Sequence, residues 1–141
     1  MSEELKAKFR KAIEAGWNKG NLDAWDEFYA ADYVHHRPPL EVFDSLEAEK
    51  QSVANTLKAF SNSEITIHEI VMEGNMSAWR WTWQAKHTGQ SPSLPIPPTG
   101  KEVTLVGCNV SHWANGKVIE EWEFSDYLGF LMQLGVIPPL G

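Results

Sequence analysis

The sequence has a single cysteine, few basic residues and no long apolar run, and each shortage excludes a class of protein. Cys108 has no second cysteine with which to form an internal disulfide. The 12 Lys and Arg residues are outnumbered by 19 Asp and Glu residues, a formal net charge of −7 that argues against a nucleic-acid partner. No apolar run reaches the length of a membrane span, and the first residues do not have the pattern of a signal peptide. We therefore expect a cytoplasmic protein that binds neither nucleic acid nor membranes.

The motifs of the common cofactor and nucleophile schemes are also missing. The sequence contains no HExxH and no paired Cys/His spacing, so no metal site is predicted. It contains no G-x-S-x-G elbow, no Walker loop and no G-x-G-x-x-G. These absences exclude three common cofactor or nucleophile schemes in their standard forms.

Aromatic residues, by contrast, are abundant, with seven Trp, six Phe and three Tyr in 141 residues. A chain of this length and composition forms one domain with a real core, and it shows no internal repeat. We therefore predict a single domain over residues 1–141. Tryptophan rings suit the walls of a pocket as well as a core, because they combine apolar area with an N–H donor.

Helical periodicity precedes strand periodicity along the chain. Helices are predicted over residues 3–19, just after Asn21, and from about Ser45 to Phe60, where Asp44 and Glu47 resemble a capping box. The predicted strands are a brief one at 33–36, one from Glu64 to Val71, and three over Ala78–His87, Val103–Trp113 and Lys117–Ser125, with a last helix at Tyr127–Leu134. This order predicts an α+β domain whose helices pack on a strongly curved, mostly antiparallel sheet, with a cavity on the concave side.

The last strand carries an acid in an apolar row. Alternation places Asp126 on one face with Val118, Trp122 and Phe124, and the apolar members indicate that this face is covered. Burial would raise the pKa of such a carboxyl group toward the range that a general base needs. Asp126 also directly precedes the last helix, where an aspartate commonly caps backbone N–H groups and is then a weaker base. Both roles are open from the sequence.

Four further residues are candidates for the pocket, and the face of the sheet that each occupies decides its role. A two-residue turn at 115–116 sets Asn109 opposite Trp122, which turns Asn109 toward the pocket and His112 away from it, whereas a three-residue turn exchanges the two. His36 is predicted to point inward because it shares a face with Val34. Arg80 needs an acidic partner or an anionic ligand if it is buried, and is a solvated charge if it is exposed.

Four segments resemble the SnoaL-like polyketide cyclases of the NTF2-like superfamily, and together they span almost the whole chain. They are 20–25 leading to 33–36, His87-Thr88-Gly89 followed by 96–101, Asn115 to Trp122, and Asp126 to Gly129 followed by 133–136. The resemblance implies a cone-shaped barrel, a homodimer or higher homo-oligomer, and cofactor-free ring closure of a polyketide ester by intramolecular aldol condensation.

The resemblance also assigns roles. Asp126 matches the aspartate that removes a proton α to a carbonyl, and His36 is the expected second catalytic group. The residues expected to bind substrate are His87, Asn109, His112, Trp122, Phe124 and Arg80. The expected partner is a small hydrophobic or aromatic carbonyl compound. The same fold also hosts proteins without catalysis, so a carrier or sensor of a small molecule is the alternative.

Overall fold

The computed structural model describes residues 3–38 and 41–138. Its elements are α1 (Glu3–Lys19), a 3₁₀ helix (Leu22–Glu27), β1 (Tyr29–Arg37), β2 (Glu41–Phe43), α2 (Leu46–Ala59), β3 (Phe60–Glu73), β4 (Met76–His87), β5 (Glu102–Ala114), β6 (Lys117–Ser125) and α3 (Tyr127–Leu134). The α+β prediction is confirmed. In the part of the chain that the structure covers, every helix is too short or too polar to cross a membrane.

One mixed sheet of six strands runs in the order β2-β1-β6-β5-β4-β3. All neighbours are antiparallel except β1 and β6, which are parallel and place His35 beside Glu121. The sequence prediction missed β2 and underestimated β1 and β3. The pairing of β1 with β6 matters most for function, because it brings together polar residues that are more than 80 positions apart.

Helix α1 covers one end of the concave face of this sheet. Its residues Phe9 and Ile13 are fully buried, as expected from an apolar stripe that repeats every four positions. The Phe9 ring contacts four other aromatic rings, those of Phe28, Tyr29, Trp79 and Trp113. This aromatic packing joins α1 to the sheet, and two of its members, Tyr29 and Trp79, also line a cavity on the concave face.

The cap of helix α2 lies one residue later than predicted. The hydroxyl of Ser45 accepts a hydrogen bond from the Ala48 N–H at 3.0 Å, so Ser45 is the cap and Asp44 is not. The buried side of α2 carries Leu46 and Val53, and between them Glu49. An acidic residue thus occupies the inner face of this helix.

The hairpin between β5 and β6 contains one extra residue. Asn115 and Gly116 have positive φ angles of 53° and 77°, so the predicted two-residue turn is confirmed. Trp113 pairs with Val118 as that turn requires, but His112 pairs with Glu120, which leaves Ile119 as a bulge. From there to the end of β6 every side chain faces the opposite way from the prediction.

Candidate active site

The concave side of the sheet encloses a cavity whose wall contains many aromatic side chains. Its aromatic lining consists of Trp17, Trp25, Trp79, Trp81, Trp83, Tyr29, Tyr33, Phe60, Tyr127 and Phe130. The polar lining includes His35, Arg37, Glu49, Asn109, Glu121 and Glu123. Among the lining residues, Ser93 is exposed and Arg37 and Tyr127 are half-buried, so we place the mouth of the cavity beside these three residues. The proline-rich segment 89–101 contributes three lining residues, Ser91, Ser93 and Leu94.

His35 is the centre of the polar lining. It is only 3% exposed, with Nδ1 3.3 Å from a Glu121 carboxylate oxygen and Nε2 3.0 Å from a Glu123 carboxylate oxygen. Burial by itself lowers the pKa of His35, but the charges of Glu49, Glu121 and Glu123 outweigh burial and raise this pKa to about 11. His35 is therefore an imidazolium at neutral pH that donates a hydrogen bond to Glu123 through Nε2 and forms an ion pair with Glu121 through Nδ1.

Glu121 and Glu123 differ in how fully their oxygens are occupied. Glu121 is 2% exposed and also accepts hydrogen bonds from the hydroxyls of Ser111 and Tyr29. Burial and the nearby carboxylates keep the pKa of Tyr29 well above its usual range, so this phenol remains a donor. The Glu123 side chain is more exposed than that of Glu121, and one of its carboxylate oxygens accepts a hydrogen bond from His35. Glu121 thus anchors the cluster, whereas Glu123 retains an oxygen for a ligand.

Asn109 lies opposite Glu123 in the sheet and is buried in the cavity wall. Its amide oxygen accepts a hydrogen bond from the indole N–H of Trp81 at 2.8 Å. The prediction that Asn109 faces the pocket is confirmed, although its partner across the hairpin is Glu123 and not Trp122. Because the amide oxygen is occupied, the NH2 group is the part of Asn109 that can donate to a ligand.

Glu49 adds a third carboxyl group to this cavity, from α2. It is 8% exposed, and its Oε2 is buried without a hydrogen-bond partner among the described residues. Burial raises the pKa of Glu49 to about 7, against the opposing effect of His35 and Arg37. At neutral pH this carboxyl group therefore holds its proton for much of the time.

The outer face of the sheet carries three residues that were predicted for the pocket. The His36 ring stacks on Trp122 with centroids 5.0 Å apart, and its Nε2 lies 2.7 Å from a Glu120 carboxylate oxygen. His112 packs against the same indole. The prediction of an inward His36 is wrong, because its neighbour His35 takes the inner face and adjacent residues of a strand point to opposite sides. His112 is on the outer face as the two-residue turn predicts, whereas Trp122 is there because of the bulge.

Phe124 and Arg80 also lie outside the cavity. Phe124 is 54% exposed, since the bulge turns it outward with Trp122. Arg80 is exposed and donates two hydrogen bonds to the Glu69 carboxylate, at 2.7 and 3.0 Å. It alternates with Trp79 and Trp81, which take the inner face of β4. Phe124 and Arg80 are therefore not among the residues that line the cavity, and their positions do not support the predicted contact with substrate.

Asp126 is exposed at the N-terminus of α3 and is absent from the cavity lining. Its carboxylate accepts a hydrogen bond from the Gly129 N–H at 3.0 Å, so it is the helix cap. Of the two roles left open by the sequence, the cap is confirmed, and the prediction of a pocket position is wrong. The apolar row that supported it does not exist, because the bulge breaks the alternation of β6.

Replacing Asp126 with alanine is expected to lower the free energy of unfolding by about 1 kcal/mol, since it removes this cap. Chemical denaturation measures the loss. Asp44→Ala is the matched control, because Asp44 precedes α2 but Ser45 caps that helix, and its effect should stay within about 0.5 kcal/mol. Equal effects of the two substitutions would contradict the capping role.

His87 is fully buried and stacks on Phe60, but it is not among the residues that line the cavity. Its Nδ1 accepts a hydrogen bond from the Thr99 N–H at 3.1 Å, and its backbone N–H donates to the Lys101 carbonyl at 2.9 Å. The predicted contact of His87 with substrate is therefore not supported by its position. Its contacts hold the end of segment 89–101, which contributes to the cavity wall.

The functional residues that the sequence interpretation missed are Glu49, His35, Glu121 and Glu123. Glu49 has a visible signal, because it stands four positions before Val53 in the apolar stripe of α2. His35 has a weaker one, since it shares the inner face of β1 with the bulky Tyr33. For Glu121 and Glu123 no local signal exists, because only the bulge turns them inward.

Comparison with known proteins agrees with this architecture. Residues 7–134 match the family model described as SnoaL-like polyketide cyclase. The aklanonic acid methyl ester cyclase AcmA of Streptomyces galilaeus is 29% identical over 144 residues, covering 96% of this chain and 92% of that protein.

Solved structures are also similar to this chain over most of its length. TsrD from Streptomyces laurentii superimposes with a TM-score of 0.85 at 20% identity, covering 97% of this chain and 99% of that one, and shows the shared fold. AclR from S. galilaeus, described as a candidate hydroxylase, has a TM-score of 0.81 at 26% identity, covering 98% of this chain and 85% of that one. IdmH from Streptomyces antibioticus, described as a candidate polyketide cyclase, has a TM-score of 0.76 at 25% identity, covering 94% and 99%.

Proposed function

Because the chain belongs to the SnoaL-like polyketide cyclase family, we propose that it closes a ring within a polyketide ester or related carbonyl compound by intramolecular aldol addition. The observation that carries this proposal is a buried acid–base cluster, His35 with Glu121 and Glu123, in an aromatic cavity. Such walls suit a flat, apolar substrate, and a few converging polar groups suit its carbonyl oxygens. The similarity to AcmA, which is named for the ring closure of a methyl ester, supports the same reaction class.

In this proposal Glu123 removes the proton α to a substrate carbonyl. Its carboxylate has an oxygen free for this step, and the imidazolium of His35 fixes its orientation through the other oxygen. The NH2 group of Asn109, on the neighbouring strand, donates to the enolate oxygen that forms. The aromatic wall excludes water, which strengthens both interactions.

The resemblance assigns proton removal to Asp126 instead, and this assignment is the competing version of the same proposal. Glu123 is favoured because it lines the cavity, whereas the Asp126 carboxylate is exposed and already accepts a helix N–H. The two versions make opposite predictions for two isosteric substitutions, Glu123→Gln and Asp126→Asn.

With aklanonic acid methyl ester as the first substrate tried, Glu123→Gln is expected to lower kcat by about 10²–10⁴-fold, because it removes the base. The affinity for substrate should change little, because the amide has nearly the shape of the carboxylate. Asp126→Asn should change kcat less than about threefold, since asparagine caps a helix as well as aspartate. Loss of activity in Asp126→Asn, with Glu123→Gln still active, would return the role of the base to Asp126.

A non-catalytic carrier or sensor is the second candidate, because the aromatic cavity suffices for binding a planar molecule. Binding of polyketide esters by the wild type without any turnover, and with equal affinity in Glu123→Gln, would favour this function over the cyclase.

A further inference from the structure

One carboxyl group of the cavity, that of Glu49, has no role in the steps above. Its Oε2 is buried without a hydrogen-bond partner among the described residues, and the residue is more than nine-tenths buried in the cavity wall. Ionisation of a buried carboxyl group without partners is energetically unfavourable. Such a group therefore either stays protonated or binds a ligand.

The cations near Glu49 are paired with other carboxylates, although their charges still oppose the rise of the Glu49 pKa. From β1, the His35 imidazolium is paired with Glu121 and Glu123, and Arg37 forms an ion pair with Glu41 of β2. From β6, Glu121 and Glu123 repel a second negative charge. The neighbouring phenol of Tyr33 stays neutral, because burial raises its pKa. Glu49 therefore occupies a site that favours the neutral acid.

We propose that Glu49, in its protonated form, is the general acid that delivers a proton to the alkoxide oxygen formed in ring closure. This inference rests on the proposed function. Glu123 takes the proton from the α-carbon, the enolate carbon bonds to the ketone carbon of the same substrate, and the former ketone oxygen takes the proton of Glu49. The product is an isomer of the substrate. Proton transfer from Glu123 to Glu49, directly or through water, restores the starting state.

Two environments in one cavity thus separate an acid from a base. Glu123 accepts a hydrogen bond from the imidazolium of His35, whereas Glu49 is buried with its Oε2 unpaired among the described residues, which favours the acid. Carboxyl groups whose surroundings push their protonation in opposite directions are the usual basis for assigning the two roles. Placing them on different elements, β6 and α2, also allows each to reach a different atom of a substrate held between them.

The test is the pH dependence of kcat/KM for wild type and Glu49→Gln with aklanonic acid methyl ester. Since Glu49 must be protonated, wild-type kcat/KM should fall about tenfold per pH unit above its pKa of about 7. Glu49→Gln can donate a hydrogen bond but no proton, so its kcat/KM should be at least about 10²-fold lower at neutral pH and lack this fall. Glu47→Gln, on the exposed side of α2, is the control and should reproduce the wild-type profile.

A second readout separates failure of this inference from failure of the proposed function. Deuterium exchange at the α-carbon of the substrate requires the base but not the acid, so Glu49→Gln should retain it within about tenfold, whereas Glu123→Gln should lose it. If wild type closes rings but Glu49→Gln has the same rate, or a reduced rate with the same fall above neutrality, Glu49 is not the acid and the cyclase remains. If wild type catalyses neither exchange nor ring closure, the proposed function itself fails, and the role of Glu49 with it.

Discussion

Replacing His35 with leucine is expected to lower the free energy of unfolding by about 3–5 kcal/mol at neutral pH. The imidazolium is paired with both Glu121 and Glu123, and Glu121 is almost completely buried. Without it, the buried Glu121 carboxylate and the partly buried Glu123 carboxylate lie close together with no cation between them, and only the hydroxyls of Ser111 and Tyr29 offset the desolvation of Glu121. Urea denaturation at pH 7 and at about pH 5 measures the effect. The deficit should be smaller at the lower pH, where protonation of the stranded carboxyl groups reduces their repulsion.

His68→Leu provides the control for this substitution. His68 lies on the exposed side of β3 and contacts the hydroxyl of Thr82, so its loss should change stability by no more than about 0.5 kcal/mol. A deficit for His35→Leu that is below about 1 kcal/mol, or that does not depend on pH, would show that His35 does not hold the carboxylates as an imidazolium.

The stability of the wild-type protein is expected to fall as the pH rises from about 5 to about 9, by up to about 1.4 kcal/mol per pH unit for each group that titrates. Glu49 has a pKa of about 7 in the folded chain against 4.5 without its surroundings, so its contribution to stability is lost between these values. His35 has a pKa of about 11 against 6.5, so its contribution is complete below 6.5 and is lost progressively above it. In both windows the folded chain binds more protons than the unfolded chain, which fixes the sign.

Denaturation curves at intervals of one pH unit test this dependence. Two variants separate the contribution of Glu49 from that of His35. Glu49→Gln should lack the decline between about pH 5 and 7 but keep the decline above it, whereas His35→Leu should lack the part above about pH 7. A wild-type stability that is constant or rises across the whole range would contradict the protonation states assigned to both groups.

The helices and strands could be predicted because their signals are local. The four-residue repeat of α1 and the Asn115-Gly116 turn each act within a few positions, and both are confirmed. Asn109 was placed correctly because β5, where it lies, is paired with β4 in unbroken alternation up to the turn. Local periodicity was therefore sufficient for the architecture and for one wall of the cavity.

The acid–base cluster could not be predicted because it depends on two non-local features. One is the parallel pairing of β1 with β6, which sets His35 beside Glu121 and is encoded in neither strand alone. The other is the bulge at Ile119, which inverts the faces of the rest of β6. A strand that reads Val-Ile-Glu-Glu-Trp-Glu-Phe offers apolar and acidic residues on both alternations, so the pattern itself does not reveal which set is inside.

The bulge also has an evolutionary consequence. If the single codon for Ile119 were lost, Glu120 would follow Val118 directly and keep His112 as its partner, so Glu121 and Glu123 would still face the interior and Trp122 and Phe124 the solvent. A bulge of this kind thus absorbs the insertion or deletion of one residue without changing which side chains face the cavity. In a family built on this hairpin, the length of β6 can therefore vary by one residue at the bulge while the ionisable interior is retained.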